Sequence, residues 1–162
     1  MPGMTNVIDD EVAGLVESGC VLTLGTVDAD GSPEAARAWS AEVLPDRAHL
    51  RVVVGAGTAF TVGHLEARRR VALTATDVRT LRSVQVKGRV LAVEPETPAD
   101  AARREQVVAE VSAAIVEVDG VPPGLVRRLL PSEHVVFEMT AEEVYDQTPG
   151  PSAGCRVDRA GA

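Results

Sequence analysis

Aromatic residues are scarce in this chain of 162 residues, which contains one Trp, one Tyr and two Phe. Its core must therefore be built from aliphatic side chains, chiefly Val, Leu and Ala. Few rings are available to stack on bases, and 16 basic against 24 acidic residues give a net charge of −8. Because an acidic surface repels a phosphate backbone, charge and composition both disfavour nucleic-acid binding.

Long apolar runs are also missing. No window approaches the roughly 18 consecutive apolar residues that a membrane span needs, and residues 1–10 lack the basic and apolar stretches of a secretory signal. Cys20 and Cys155 have no partner at metal-ligand spacing, so we expect reduced thiols without a nucleophilic role. These absences predict a cytoplasmic protein that does not associate with membranes.

Apolar periodicity predicts one domain over residues 1–145, in which short links join most strands. The predicted strands are 20–27, 33–44, 48–54, 71–75, 81–94 and 134–145, and the predicted helices are 8–19, 58–69, 97–119 and 125–130. Gly88, in the middle of a strand, indicates a bulge or a close backbone approach. This order favours a mainly β (α+β) antiparallel sheet or small barrel with peripheral helices. Residues 146–162, rich in Gly and Pro, are expected to form an arm or a disordered tail.

The segment from Gly55 to Phe60 follows a strand and opens a helix, as a dinucleotide-binding fingerprint does. Phe60 stands where the third glycine is needed, and crossover helices are missing, so a Rossmann fold is disfavoured. Backbone N–H groups at this helix start, with the hydroxyls of Thr58 and Thr61, could hold a phosphate. An ordinary helix cap at Thr58 explains the same pattern equally well.

Two further groups of residues each allow two interpretations. Arg37 and Trp39 share one face of a strand and either pack in the core or contact a planar ligand and its phosphate. Ser83, Gln85 and Lys87 form a polar stripe with a period of two residues. This stripe is either the solvent face of a sheet or, at a subunit interface, a set of donors for a polar heterocycle or phosphate.

Other kinds of site are not favoured by the sequence. His49, His64 and His134 are scattered without the spacing of a zinc site, and no GxSxG motif for a serine hydrolase occurs. The run Arg68–Arg70 is interpreted as favourable positive charge at a helix C-terminus.

Several motifs, in this order, resemble the pyridoxamine 5'-phosphate oxidase-like family of FMN-binding split barrels. The matching segments are the hairpin from Leu22 to Pro33, the triplet Arg37-Ala38-Trp39, the stretch from His64 to Leu73 and the stretch from Val84 to Val90. The resemblance covers roughly residues 8–94, and the end from Tyr145 to Pro151 is similar to that of some uncharacterised members.

The resemblance implies a homodimer of six-stranded antiparallel Greek-key split barrels, with a flavin-type cofactor in clefts between the subunits. It implies an oxidoreductase that uses FMN on a small-molecule substrate. The strand carrying Arg37, Ala38 and Trp39 would line the ring system. The end of the third strand and the following helix start, with Val54, Thr58 and Thr61, would hold the phosphate. The stripe from Ser83 through Gln85 to Lys87 would add polar contacts.

The sequence also departs from the family pattern. Many members carry Ser-Arg-Lys where this chain has Ala59-Phe60-Thr61, so two charges that would pair with phosphate are absent. The Arg-x-His substrate motif of the true vitamin oxidase is missing, and we therefore do not expect pyridoxamine phosphate oxidation. The alternatives on this fold are a reductase that uses the deazaflavin F420 and a haem-binding or non-catalytic dimeric module.

Overall fold

Residues 7–57, 59–68 and 70–157 are described in a computed structural model of the chain, which contains six strands and four helices over these ranges. The strands are β1 (Val21–Val27), β2 (Pro33–Val43), β3 (His49–Gly55), β4 (Arg70–Thr76), β5 (Ser83–Pro95) and β6 (His134–Asp146). The helices are α1 (Asp10–Glu17), α2 (Ala59–Arg68), α3 (Pro98–Asp119) and α4 (Leu125–Arg128). Every predicted strand is confirmed, with ends within two residues of the expected ones.

The strands close into a barrel in the order β1-β2-β3-β6-β5-β4, and all neighbours are antiparallel. Inward side chains fill the barrel with aliphatic residues, as the scarcity of aromatics predicts; Leu24, Leu73 and Val86 are almost completely buried there. The helices α1 and α2 add Val16 and Leu65 to the same core. The expected mainly β split barrel with peripheral helices is therefore confirmed.

The long helix α3 begins and ends where the sequence predicts. The Thr97 side chain accepts a hydrogen bond from the Asp100 backbone, the Asp100 carboxylate accepts one from the Thr97 backbone, and Pro98 occupies the first turn. Gly120 ends the helix in the left-handed conformation at φ 64°. Arg51 of β3 donates to both oxygens of Asp100 at 3.3 and 3.0 Å, which ties the start of α3 to the barrel.

Gly88 meets both expectations for a glycine in mid-strand. A β-bulge lies between Lys87 and Gly88 in the pairing of β5 with β6. A Cβ atom at Gly88 would stand 1.7 Å from the carbonyl oxygen of Thr140. The two backbones can approach this closely only without a side chain at this position.

The turn between β4 and β5 holds a strained residue. Leu81 has φ 61°, in the left-handed region, and its side chain is 55% exposed. The Leu81 N–H donates to the carbonyl of Asp77 at 2.8 Å, which fixes this conformation. The turn therefore keeps a Cβ atom in a conformation that favours glycine.

Replacing Leu81 with Gly should raise the free energy of unfolding by about 0.5–1 kcal/mol, because glycine adopts positive φ without the steric cost. Leu81→Ala is the matched control, since it removes the exposed side chain but keeps the Cβ atom. Urea denaturation of both variants measures the difference. Equal stability of the Gly and Ala variants would show that the left-handed conformation carries no cost here.

Candidate functional site

The structure places Arg37 and Trp39 on the outer side of β2 and buries Ala38 between them in the barrel core. Ala38 pairs with Val54 of β3, whose side chain is also in the core. A ligand outside the barrel could therefore reach only the backbones of Ala38 and Val54. The predicted contacts of these two residues with a cofactor would be main-chain contacts.

Trp39 is the extra residue of a β-bulge, because Ala38 pairs with Val54 while Ser40 pairs with Val53. No feature of the sequence predicts this bulge. The bulge turns the indole ring under α3 and α4, where it packs with Val108 and Val126 and is 6% exposed. Bulges commonly re-aim a side chain in this way. Packing against α3 and α4 thus explains the position of the Trp39 ring, and a contact between Trp39 and a ligand stays a prediction.

Arg37 lies over the edge of this cluster, with its guanidinium carbon 5.4 Å from the centre of the Trp39 ring. Partial burial lowers the pKa of Arg37 below its ordinary value, yet an arginine remains charged at neutral pH. No carboxylate forms an ion pair with Arg37 within the described residues. Its charge is therefore available to an anionic or polar ligand.

The polar stripe on β5 points outward, since Val84 and Val86 between its members are in the core. Gln85 donates from its amide to the Thr74 hydroxyl on β4 at 3.0 Å. The Lys87 ammonium lies 4.5 Å from the centre of the Tyr145 ring on β6, a cation–π contact. Both side chains are held by neighbouring strands, so the stripe is ordered.

Ser83, the third member of the stripe, is buried by the C-terminal arm. Its hydroxyl contacts the Thr76 hydroxyl at 3.0 Å, and its N–H donates to the Thr148 hydroxyl at 3.0 Å. Its carbonyl accepts from the N–H of Gln147 at 2.9 Å. Up to Val157 the arm is described, and Arg156 forms a bridge with Tyr145. Ser83 therefore anchors the arm, and its role toward a ligand stays a prediction.

The two groups of predicted residues lie on different walls of one barrel. In the closed order, β2 and β5 are three strand positions apart in both directions. Outward side chains on opposite walls point away from each other. Arg37 and Gln85 of one chain therefore cannot contact the same face of one small ligand.

The part of the outer wall directly between Arg37 and Gln85 carries small, uncharged side chains, and Arg70 lies farther along β4. A row of paired positions crosses it from Arg37 through Thr23 and Thr74 to Gln85. The adjacent row includes Gly25 opposite Ala72. In a chain with 25% charged residues, a face of this kind is suited to contact with another surface.

The glycine-flanked turn after β3 is only partly described. Thr58 lies outside the described residues, and for Thr61 the helix is described but not the side chain. The N–H of Ala56 donates to the carbonyl of Glu133 at 2.9 Å, so this donor of the turn is already used. The predicted phosphate role of Thr58 and Thr61 stays a prediction.

A cavity of about 650 Å³ lies beside this turn and is acidic. Four carboxylates are among the described residues that line it, those of Glu66, Glu94, Glu96 and Glu133, and no described Lys or Arg lines it. Arg51 pairs with Glu94 at 3.2 Å, and Arg104 pairs with Glu96 at 2.7 Å. Carboxylates oppose the binding of a phosphate dianion at this place.

His134 also lines the acidic cavity and was not singled out as a ligand from its sequence position. Its side chain is buried, its Nε2 atom has no hydrogen-bond partner within the described residues, and its Nδ1 atom lies 4.0 Å from Glu96. Burial and the charge of Arg104 lower the pKa of His134 below its ordinary value. The imidazole is therefore neutral at pH 7.

Three further observations concern metal ligands, thiols and membrane spans in the described part of the chain. No group of three His, Cys, Asp or Glu side chains is placed to hold a metal ion within residues 7–57, 59–68 and 70–157. Burial raises the pKa of Cys20 to about 11, so this thiol is not a nucleophile at neutral pH. None of the described helices has the length and apolar character to cross a membrane.

A closed antiparallel barrel of six strands with capping helices, and with polar groups on its outer wall, defines the split-barrel class. The family model described as pyridoxamine 5'-phosphate oxidase matches residues 8–148, and the chain belongs to this family. A search of curated proteins gives no matching sequence.

Solved structures confirm the fold at low sequence identity. An F420 reductase superposes with a TM-score of 0.56 at 17% identity, over 85% of this chain and 98% of that one. HupZ of Group A Streptococcus gives 0.55 at 16% identity, over 91% and 99%. A pyridoxamine 5'-phosphate oxidase homologue from Lactobacillus delbrueckii gives 0.54 at 22% identity, over 88% and 96%. At these identities the likeness establishes the shared fold alone.

The described residues offer polar groups for the ring system of a flavin nucleotide, whereas the cavity beside α2 does not suit its phosphate. The amide of Gln85, the hydroxyl of Thr74 and the guanidinium of Arg37 supply the donors and acceptors that a polar heterocycle needs. The cavity beside the start of α2 supplies carboxylates instead of the cations that a phosphate needs. The groups suited to a ring system are therefore divided between two walls of one chain, and the phosphate does not fit the acidic cavity.

Proposed function

We propose that the chain forms a homodimer that binds a flavin nucleotide, FMN, between its subunits and acts as an oxidoreductase on a small molecule. The observation that carries this proposal is the separation of Arg37 and Gln85 on opposite walls of one barrel. A second copy packed against the uncharged wall would bring Arg37 of one subunit and Gln85 of the other to one ligand. Family membership over residues 8–148 supports this arrangement.

Within such a site the protein would bind and orient, while a bound flavin supplies the hydride or single-electron transfer. Gln85 is held by Thr74, so its amide is oriented before a ligand arrives. The charge of Arg37 would stabilise negative charge on the ring system. The Arg-x-His motif of the vitamin oxidase is missing, so the substrate would differ from pyridoxamine phosphate. Two cysteines without a disulfide agree with a cytoplasmic location.

A second candidate on the same fold is a reductase that uses the deazaflavin F420. The observation that favours it is the basic run Arg68–Arg70, of which Arg70 is exposed at the start of β4. A long acidic cofactor tail would suit a basic run of this kind. No described Lys or Arg lines the cavity beside α2, which favours a third alternative that needs no phosphate at this place, a haem-binding or non-catalytic dimeric module.

The absorption spectrum of freshly purified protein, followed by titration with FMN, F420 and haem, tests the proposal. We expect FMN to bind with quenched flavin fluorescence, and we expect Gln85→Ala to weaken binding about tenfold through loss of one hydrogen bond. Gln106→Ala, on the exposed face of α3, is the matched control and should bind like the wild type. A colourless protein that does not quench FMN would contradict the proposal, and preferential binding of F420 or haem would replace it with the corresponding alternative.

A further inference from the structure

A cleft of about 510 Å³ opens on the outer wall where β1, β4, β5 and β6 lie side by side. Its lining includes two residues with little or no side chain at outward positions, Gly25 of β1 and Ala72 of β4. Such residues let a ligand approach the backbone closely. Two cationic residues, Arg70 and Lys87, also line the cleft. A ligand in this cleft could therefore contact the backbone and two cationic side chains.

Arg70, which lines the cleft, lies next to a further cationic residue of β5. Arg70 of β4 is directly opposite Arg89 of β5 in the register. Lys87 is two residues from Arg89 and shares its face of the strand. Like charges at directly opposite positions of a sheet destabilise it. Arg89 is paired with Glu142, so an anion in the cleft would neutralise Arg70 and Lys87.

The carboxylates at the cleft are already engaged by other groups. Glu142 accepts an ion pair from Arg89 at 2.9 Å. Glu143 accepts a hydrogen bond from the Tyr145 hydroxyl at 2.9 Å and lies 3.5 Å from Arg156. Neither carboxylate is therefore left to neutralise the two remaining cations.

Arg70 and Lys87 have no carboxylate within 4 Å among the described residues, in contrast to Arg89. The Lys87 ammonium rests over the Tyr145 ring, which orients it without neutralising it. The protein as a whole carries a charge of −8, so its overall field repels anions. Arg70 and Lys87 therefore provide two positive charges without ion pairs in one cleft of a protein whose net charge is negative.

We propose that this cleft binds a phosphate or diphosphate group, with Arg70 and Lys87 as the donors. The site lies between β4 and β5 and shares no lining residue with the acidic cavity beside α2. This cleft suits a phosphate better than the acidic cavity does, because cations line the cleft and carboxylates line the cavity. The assignment of the bound group to the cofactor rests on the proposed function, whereas the affinity of the cleft for phosphate does not.

Isothermal titration of the full chain with inorganic pyrophosphate at low ionic strength tests the cleft directly. We expect one binding site per chain, and at least about a tenfold loss of affinity in the double variant Arg70→Gln and Lys87→Gln, since each charge-assisted hydrogen bond contributes about tenfold or more. Arg128→Gln on α4 removes an exposed cation elsewhere and should leave the affinity unchanged. Failure of the wild type to bind, or equal binding by the double variant, would overturn the proposal.

Two further measurements make the test robust and identify the source of the phosphate. Arg70→Gln alone should leave the melting temperature without pyrophosphate close to that of the wild type, because Arg70 has no ion pair among the described residues. A marked loss would contradict an Arg70 that is left free for a ligand. If the group belongs to the cofactor, the wild type should prefer FMN to riboflavin and the double variant should lose this preference. An unchanged preference would overturn the cofactor assignment and leave a separate phosphate ligand. Pyrophosphate binding without flavin binding would overturn the proposed function and retain the cleft.

Discussion

Gly88→Ala should lower the free energy of unfolding by about 3 kcal/mol or more, at the upper end of overpacking effects. The added Cβ atom would stand 1.7 Å from the carbonyl oxygen and 2.8 Å from the carbonyl carbon of Thr140. Both are backbone atoms of β6, the strand that pairs with β5 along its whole length. No rotamer change can relieve this clash, so the two strands must separate locally. Urea denaturation followed by circular dichroism measures the loss.

Gly14→Ala is the matched control for this prediction. Gly14 lies in α1, and an added Cβ atom there meets nothing within 4 Å. The control should raise stability by about 0.5–1 kcal/mol, because alanine is the better helix former. A loss below 1 kcal/mol for Gly88→Ala would mean that β5 and β6 do not approach each other as closely as described.

Trp39→Ala should lower the free energy of unfolding by about 3–5 kcal/mol, the range for truncating a buried large aromatic side chain. The indole ring joins β2 to α3 and α4 through contacts with Val108 and Val126. Its removal would leave a cavity that the rigid barrel cannot close. The loss would fall mainly on the attachment of α3. Denaturation monitored by circular dichroism at helical and strand wavelengths measures this effect.

Trp39→Phe separates packing from ligand contact. Phenylalanine keeps an aromatic ring in the cluster, so it should retain most of the stability that Trp39→Ala loses. If Trp39 only packs, the Phe variant should also keep the FMN affinity of the wild type. A loss of stability below 1 kcal/mol in the Ala variant would contradict the burial of the ring between β2 and α3.

Local patterns in the sequence predicted most of the fold. Alternating apolar residues gave the strands, and the sequence Thr97-Pro98-Ala99-Asp100 predicted the start of α3, where the reciprocal cap is present. Gly88 was expected at a bulge or a close approach; it makes the close approach and lies beside a bulge whose extra residue is Glu142 of β6. These features depend on neighbouring residues and on backbone conformation, which a single sequence encodes directly.

The arrangement of residues on the outer wall depends on pairings between strands that are distant in the sequence. It was therefore harder to predict from the sequence than the strands themselves. The bulge at Trp39 adds one residue to β2 and places the ring under α3, and no residue type at this position marks it. The opposition of Arg70 and Arg89 arises from the register of β4 with β5. Tyr145, the single Tyr, was the one available signal for the position of Lys87 over an aromatic ring.

The candidate site was predicted as a set of residues, and their distribution over two walls required the strand order. The sequence placed Arg37 and Gln85 on strands but could not tell that these strands are three positions apart around a closed barrel. The same order explains why a complete site would need two chains. We therefore propose that each cofactor is shared between two subunits, with Arg37 from one and Gln85 from the other.

Mixing two binding-deficient variants tests this claim most directly. Arg37→Ala and Gln85→Ala chains, each alone, should lose most of their FMN affinity. After the two are unfolded together and refolded, mixed dimers should contain one intact site, with Arg37 from one subunit and Gln85 from the other. Titration of the isolated mixed dimer should then recover wild-type affinity at one FMN per dimer. Full binding by either variant alone, or no recovery in the mixed dimer, would contradict a site built between two subunits.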